Sequence, residues 1–173
     1  MIGTTKYYLG GYNTSQITSD TMWQYERKKQ NDISCIYDGG WSGECYFYGT
    51  HPVMQSDASK KIALMYASDY GYGASKECTN NLYDYAGSAN CKTTNNWLDK
   101  STYTWLLSQL IKQSGNTVFI VDSNGYVDDY GYYNRVGDLK QAVFPVLSLS
   151  SNVKISSGEG TSNSPYQLTL INH

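Results

Sequence analysis

The stretch NTVFIVDSNGYV, residues 116–127, constrains the fold more than any other part of the chain. The β-branched and aromatic run Val118–Val121 leads into Asn124-Gly125, and Tyr126 and Val127 follow. Asn-Gly is the preferred pair for a two-residue type I′ turn, because both central residues there take positive φ. The stretch therefore predicts an antiparallel hairpin with Asn124 and Gly125 at its tip. Whatever else the chain forms, it contains a sheet.

The remaining segments mix strand and helix signals. TKYYLGGY reads as a short strand stopped by Gly10-Gly11. TSDTMWQYERKKQ reads as a helix capped by Thr18 or Ser19, with Met22, Trp23, Glu26 and Arg27 at helical spacing. ISCIYDGGWSGECYFYG reads as a hairpin with a glycine-rich tip. Residues 62–66 are an apolar run that suits a buried strand, and Ser68 or Asp69 can cap a short helix reaching Ser75. Around Trp97 and Trp105 both helix and strand fit the pattern, and a strand is expected over residues 103–107. AVFPVLSLSS predicts another strand, and residues 151–171 predict two more around a turn-rich connection. The sum is one α+β domain over residues 1–173, with early helices, short strands and long ordered loops.

Composition narrows the function classes. Net charge is −2, so there is no electrostatic footprint for nucleic acid or an anionic membrane. Charged residues make up only 16% of the chain, whereas Tyr alone occurs 18 times. Low charge with abundant Tyr, Ser, Asn and Gly suits a secreted or surface-exposed bacterial protein. No apolar run approaches the ~18 residues of a membrane span. MIGTTKYYLG lacks the apolar core of a signal peptide, so an export signal or membrane anchor is expected upstream of Met1.

The four cysteines, Cys35, Cys45, Cys78 and Cys91, fit two disulfides in an oxidising compartment. Three pairings are open, and the local one, Cys35 with Cys45 and Cys78 with Cys91, is favoured. Each local bridge would contribute about 3 kcal/mol in the chain-entropy model. A zinc site is disfavoured, since there is no CxxC and the histidines sit far off at His51 and His173.

Candidate chemistry thins quickly. Asp122, Asn124, Asp128 and Asp129 are oxygen donors of the kind calcium takes, but the twelfth position from Asp122 is Tyr133 rather than Glu. An acidic hairpin turn explains the same residues, and no metal or cofactor is expected. His51 precedes Pro52 and His173 ends the chain, so neither histidine has a nucleophile to serve. Asp38 and Glu44 flank a possible hairpin tip, where solvation explains them as well as catalysis does. GYGAS and GGWSG fit no phosphate-binding pattern. No catalytic residue is assigned.

Aromatic recognition remains. Residues 127–138, VDDYGYYNRVGD, carry Asp128, Asp129, Tyr130, Tyr132, Tyr133, Asn134 and Arg135. Tyr supplies contact area with few rotatable bonds and a polar tip, and small polar neighbours adapt around it. Trp41, with Tyr46 and Tyr48, offers a second patch. The competing explanation is that such rings cover the edge of the core.

Several segments in order also carry a family resemblance: YYLGGYNTSQITSDTMWQYERKK, KIALMYASDYGYGAS, CTNNLYDYAGSANCKTTNNWLDKS, VFIVDSNGYVDDYG, VFPVLSL and NVKISSGEGTSNSPYQL. Together they resemble the C-type-lectin-like domain of Firmicutes surface and prepilin-type proteins. That group is related to formylglycine-generating-type enzymes and to the variable proteins of diversity-generating retroelements. Two motifs depart from the family pattern. Ala142, Val143, Phe144 and Pro145 stand where Gly-Val-Arg-Pro is usual, and residues 105–109 read WLLSQ where Trp-Thr-Leu-Thr-Pro is usual. The second departure leaves the shape of residues 110–117 outside what the resemblance implies. The formylglycine relatives use cysteines late in the chain, and every cysteine here lies at or before Cys91, so that activity is not carried over.

The resemblance implies that late loops, here residues 122–141, form the ligand surface. The expectation is a non-enzymatic module on a bacterial surface or pilus, binding a protein or glycan through the Tyr-rich loop. A diversified receptor is one form of it. The alternative is a structural, pilin-like globular head whose partners are its own neighbours.

Overall fold

Thr18 ends an extended stretch and starts the first helix. The computed structural model describes residues 2–12, 14–27, 54–56, 58–74, 77–91, 96, 98, 101–110, 118–128, 141–159 and 163–171. In it α1 spans Ser19–Arg27. The Thr18 carbonyl accepts the Met22 N–H at 2.9 Å, and its hydroxyl accepts the Thr21 N–H at 3.4 Å, so Thr18 is the cap. Asp20 in the first turn and Arg27 in the last complement the helix dipole. Ser19, Met22 and Glu26 form the buried face, while Trp23 stays on the outside.

The second helix, α2, spans Ala67–Tyr72. It starts earlier than a cap at Ser68 or Asp69 would place it, and it stops short of Ser75. Asp69 acts from inside the first turn instead. Its carboxylate reaches back to accept the Tyr66 N–H at 3.1 Å. The following 3-10 helix, Leu82–Gly87, docks on the segment before α1 through Leu82 N–H to Ile17 O (2.9 Å) and Tyr83 N–H to Ser15 O (3.0 Å).

The strands are β1 (Tyr8–Leu9), β2 (Gly11–Tyr12), β3 (Met54–Gln55), β4 (Ile62–Leu64), β5 (Thr104–Leu110), β6 (Val118–Val121), β7 (Val127–Asp128), β8 (Pro145–Leu147), β9 (Val153–Ser157) and β10 (Gln167–Leu170). A four-stranded sheet has the order β2-β5-β6-β7, and β1 with β3, β4 with β8 and β9 with β10 form antiparallel pairs. The described chain is therefore α+β. The hairpin of β6 and β7, the strand at 103–107 and the two final strands are all present. The run at 62–66 is less buried than expected: Ile62 is 59% exposed, and burial begins only at Met65 and Tyr66. No helix among the described residues is long and apolar enough to cross a membrane.

The first strand ends at Leu9, before Gly10-Gly11, and Gly11 opens a second strand in another sheet. β2 runs parallel to β5 with Gly11 opposite Gln109, and the Gln109 N–H donates to Gly10 O at 3.0 Å. A Cβ on Gly11 would lie 1.7 Å from the Gln109 carbonyl oxygen. The pair that reads as a breaker is a site of close backbone approach, which glycine alone permits.

Tyrosine fills much of the interior. Tyr7, Tyr12, Tyr66, Tyr70 and Tyr85 are buried beside Met22, Met65, Leu82, Leu106, Phe119 and Val127. A buried phenol needs a partner. Tyr66 donates to Tyr8 O at 2.9 Å, Tyr70 to Gly125 O at 2.7 Å, and Tyr85 lies 2.9 Å from Ser19 Oγ. Each of these bonds ties one element to another. Burial pushes the Tyr66 phenol up to about 12, against the opposing pull of Arg27. The Arg27 guanidinium lies 4.0 Å from the centre of that ring and pairs with Asp69.

Glu26 is the unusual core residue. It is fully buried, and its carboxylate accepts the Ser68 N–H at 3.1 Å and the hydroxyls of Ser68 and Ser108. Ser108 Oγ in turn accepts the Ala67 N–H at 2.8 Å. Two orphan donors of α2 are thereby satisfied from α1 and β5. Burial raises the Glu26 pKa, outweighing the hydroxyls of Ser108 and Ser68 that favour the charged form.

A raised folded-state pKa means that the native state holds its proton where the unfolded chain has lost it. Stability from this group is therefore present at low pH and falls as pH rises from about 4.5 through the elevated value. Glu26→Gln keeps an acceptor for Ser68 N–H and removes the titration. The difference in Tm between wild type and Glu26→Gln should move in favour of Gln as pH rises across that window. Glu26→Ala strands three donors and should cost roughly 2–4 kcal/mol in urea unfolding. A pH-independent difference would show that Glu26 does not titrate in the folded protein.

Candidate functional site

The hairpin turn is held by a single carboxylate. Asp122 follows β6, is 2% exposed, and accepts the N–H groups of Asn124 (2.8 Å) and Tyr126 (3.2 Å) and the Asn124 side-chain amide (2.8 Å). The Gly125 N–H donates to Asp122 O at 3.1 Å, and the Asp122 N–H to Tyr126 O at 3.0 Å. Gly125 has φ 91°, whereas Ser101 is the only non-glycine among the described residues with positive φ. The turn is thus a three-residue loop with a type I turn and a left-handed glycine, not the two-residue type I′ turn that Asn124-Gly125 suggests. The Asp122 carboxylate accounts for the difference. It holds Asn124 at ordinary φ and leaves the left-handed position to Gly125.

The same bonds explain the acidic cluster. Asp122 directs both carboxylate oxygens at its own turn. Among the described residues no group of three His, Cys, Asp or Glu side chains is placed to hold a metal ion.

The turn is pinned from below and flanked by rings. Tyr70 of α2 donates to Gly125 O. The Tyr126 ring lies 5.5 Å from that of Tyr83, centroid to centroid, and Tyr83 is 40% exposed. Burial, then Asp122, pushes the Tyr126 phenol up to about 12, so it stays protonated at neutral pH. Tyr83 belongs to the 3-10 helix, which the Cys78–Cys91 disulfide encloses with a Cα–Cα distance of 5.0 Å. Leu82 and Tyr85 of that helix enter the core, and Cys91 is fully buried. The bridge therefore fixes the segment that presents Tyr83. One of the favoured cysteine pairs is present, and Cys35 and Cys45 lie outside the described residues.

The Tyr-rich segment leaves and rejoins the sheet at one end. Asp128 is the last residue of β7, opposite Ile120, and is 7% exposed. The chain returns at Ala142, which bridges Thr104 on the far side of β5. There the Trp105 N–H donates to Ala142 O at 3.0 Å, and the Ala142 N–H to Tyr103 O at 2.9 Å. Val127, Val121, Thr104 and Ala142 form one row across the strands. Three strand spacings put its ends roughly 14 Å apart.

Of the expected contact residues, Asp128 alone is described, and it is a buried residue at the root of the segment. Asp129, Tyr130, Tyr132, Tyr133, Asn134, Arg135 and Trp41 lie outside the described residues. The ring pair of exposed Tyr83 and partly buried Tyr126 was not foreseen. Its signals were the position of Tyr126 directly after the turn and the enclosure of Tyr83 by two cysteines.

Comparison of the chain with protein-family models, curated proteins and solved structures finds no match.

Replacing Cys78 and Cys91 together by Ser should cost about 3 kcal/mol in urea unfolding, from the thirteen-residue closure. The near-ultraviolet circular dichroism from the tyrosine rings should also weaken, because Tyr83 loses its fixed mount. An unchanged unfolding midpoint would show that the 3-10 helix is held without the bridge.

Proposed function

We propose that this chain is a non-enzymatic ligand-binding domain of a bacterial cell-surface or pilus-associated protein, with a C-type-lectin-like fold. Residues 129–140 provide its contact surface, and the ligand is a protein or a glycan. The observation that carries this reading is the mounting of the segment. Its two ends are hydrogen-bonded into one end of the four-stranded sheet, on opposite sides of β5, beside the exposed Tyr83 ring and the partly buried Tyr126 ring. A rigid frame under a contact loop lowers the ordering cost of binding, and Tyr on such a frame is the side chain that binding loops favour.

Other features agree with the reading. The Cys78–Cys91 disulfide supports an oxidising, extracellular location. Those two sulfurs are bonded to each other and are not free nucleophiles, and Glu26, the carboxylate with the raised pKa, is sealed from substrate.

The test uses the labelled protein on an array of immobilised glycans and extracellular proteins, with the strongest hit as the probe. Replacing Tyr130, Tyr132 and Tyr133 together by Ala should weaken that binding at least about 100-fold, since buried aromatic anchors dominate interfaces. The melting temperature should stay within about 2 °C of wild type. Undiminished binding, or loss of the fold, would remove these rings from the contact surface.

A further inference from the structure

Two sheet faces of this chain are apolar and exposed at once. In the hairpin of β9 and β10, Ile155 stands opposite Leu168 and Val153 opposite Leu170. Directly opposed residues share a face, so these four line one side of the hairpin. Ile155 is 55% exposed, Leu168 40% and Leu170 46%. The pair of β4 and β8 repeats the arrangement. Ile62 stands opposite Leu147, and the bridge of Ile2 with Leu149 extends the row. Alternate residues Phe144 and Val146 pack on the core, which turns Leu147, Leu149 and Val143 outward.

Charge is sparse on these faces, although Lys60 and Lys61 lead into β4 and Pro145 opens β8. Across residues 141–171 the only charged side chains are Lys154 and Glu159, and Lys154 points to the opposite side of the hairpin from Ile155. A two-stranded hairpin is also marginal in water unless something covers it. The two exposed rows together present on the order of 800 Å², what a standard interface takes from each partner.

We propose that two copies of this chain associate by exchanging these faces. The β9–β10 hairpin of one copy lies on the β4–β8 face of the other, and the second hairpin returns the contact. Each copy carries both halves of the match: two exposed, largely aliphatic, two-stranded faces. Face-to-face sheets close at about 10 Å with such side chains between them. Both faces are exposed among the described residues of one copy, and a second copy supplies a partner for each. Reciprocal exchange gives a two-fold dimer with no apolar face left over. The inference does not rest on the ligand-binding reading.

Sedimentation of the full chain from about 1 to about 200 µM should show a monomer–dimer equilibrium. Ile155→Glu and Leu147→Lys alter opposite sides of the contact at positions exposed in the monomer, so each should keep its melting temperature. Each alone should weaken association at least about 100-fold. An equimolar mixture of the two should dimerise again, because Glu of one variant meets Lys of the other. A wild-type chain that stays monomeric throughout overturns the proposal, and so does a dimer that survives either substitution. Failure of the mixture to associate would also overturn it, as a hairpin-to-hairpin contact would give that result. A monomer that floats with uncharged phosphatidylcholine vesicles would assign the faces to lipid and overturn it as well.

Discussion

The buried Glu26 carboxylate joins three elements at one node inside the core. It sits on α1, accepts from the start of α2, and shares Ser108 of β5 with the Ala67 N–H. An ionisable group is costly inside a protein unless its hydrogen bonds are complete. Here they are complete only when both helices and the central strand are in place together. The node therefore specifies one arrangement of α1, α2 and β5, and the other elements are positioned from these. Tyr70 of α2 reaches the hairpin turn, and Tyr85 of the 3-10 helix reaches Ser19 of α1.

That arrangement carries through to the candidate site. The turn at Gly125 is fixed from below by Tyr70 and from within by Asp122. The 3-10 helix is fixed by the disulfide, and the two anchors of the Tyr-rich segment are fixed by the sheet. The frame is rigid where a contact loop would need it to be. The interior tyrosines belong to the same economy of side chains. Tyr serves here as a core residue whose hydroxyl ties elements together, and also as a surface ring at Tyr83.

Patterns local in sequence were legible. The hairpin of β6 and β7 followed from a β-branched run and a turn pair, whereas the pattern around Trp105 fits helix and strand alike, and the strand expected there is β5. Long-range features were not. Gly11 looks like a strand breaker until the parallel approach of β5 shows why a side chain cannot fit. The type I′ expectation failed because Asp122, two residues before Asn124, redirects the turn with its carboxylate. Glu26 falls four residues after Met22, on the helix face expected to be buried, yet its partners Ser68 and Ser108 are 42 and 82 residues away. No local rule pairs them. The Tyr83–Tyr126 contact likewise depends on how a disulfide-closed loop docks beside a strand.

Amide hydrogen exchange at Ala67 and Ser68, followed through low concentrations of denaturant, tests the role of the node most directly. Their N–H groups donate to Ser108 and Glu26, so they report its opening and nothing else. The account predicts that both exchange only through global unfolding, with the same protection as Phe119 and Ile120 in β6. Exchange through a local opening, while the β6 amides stay protected, would contradict it.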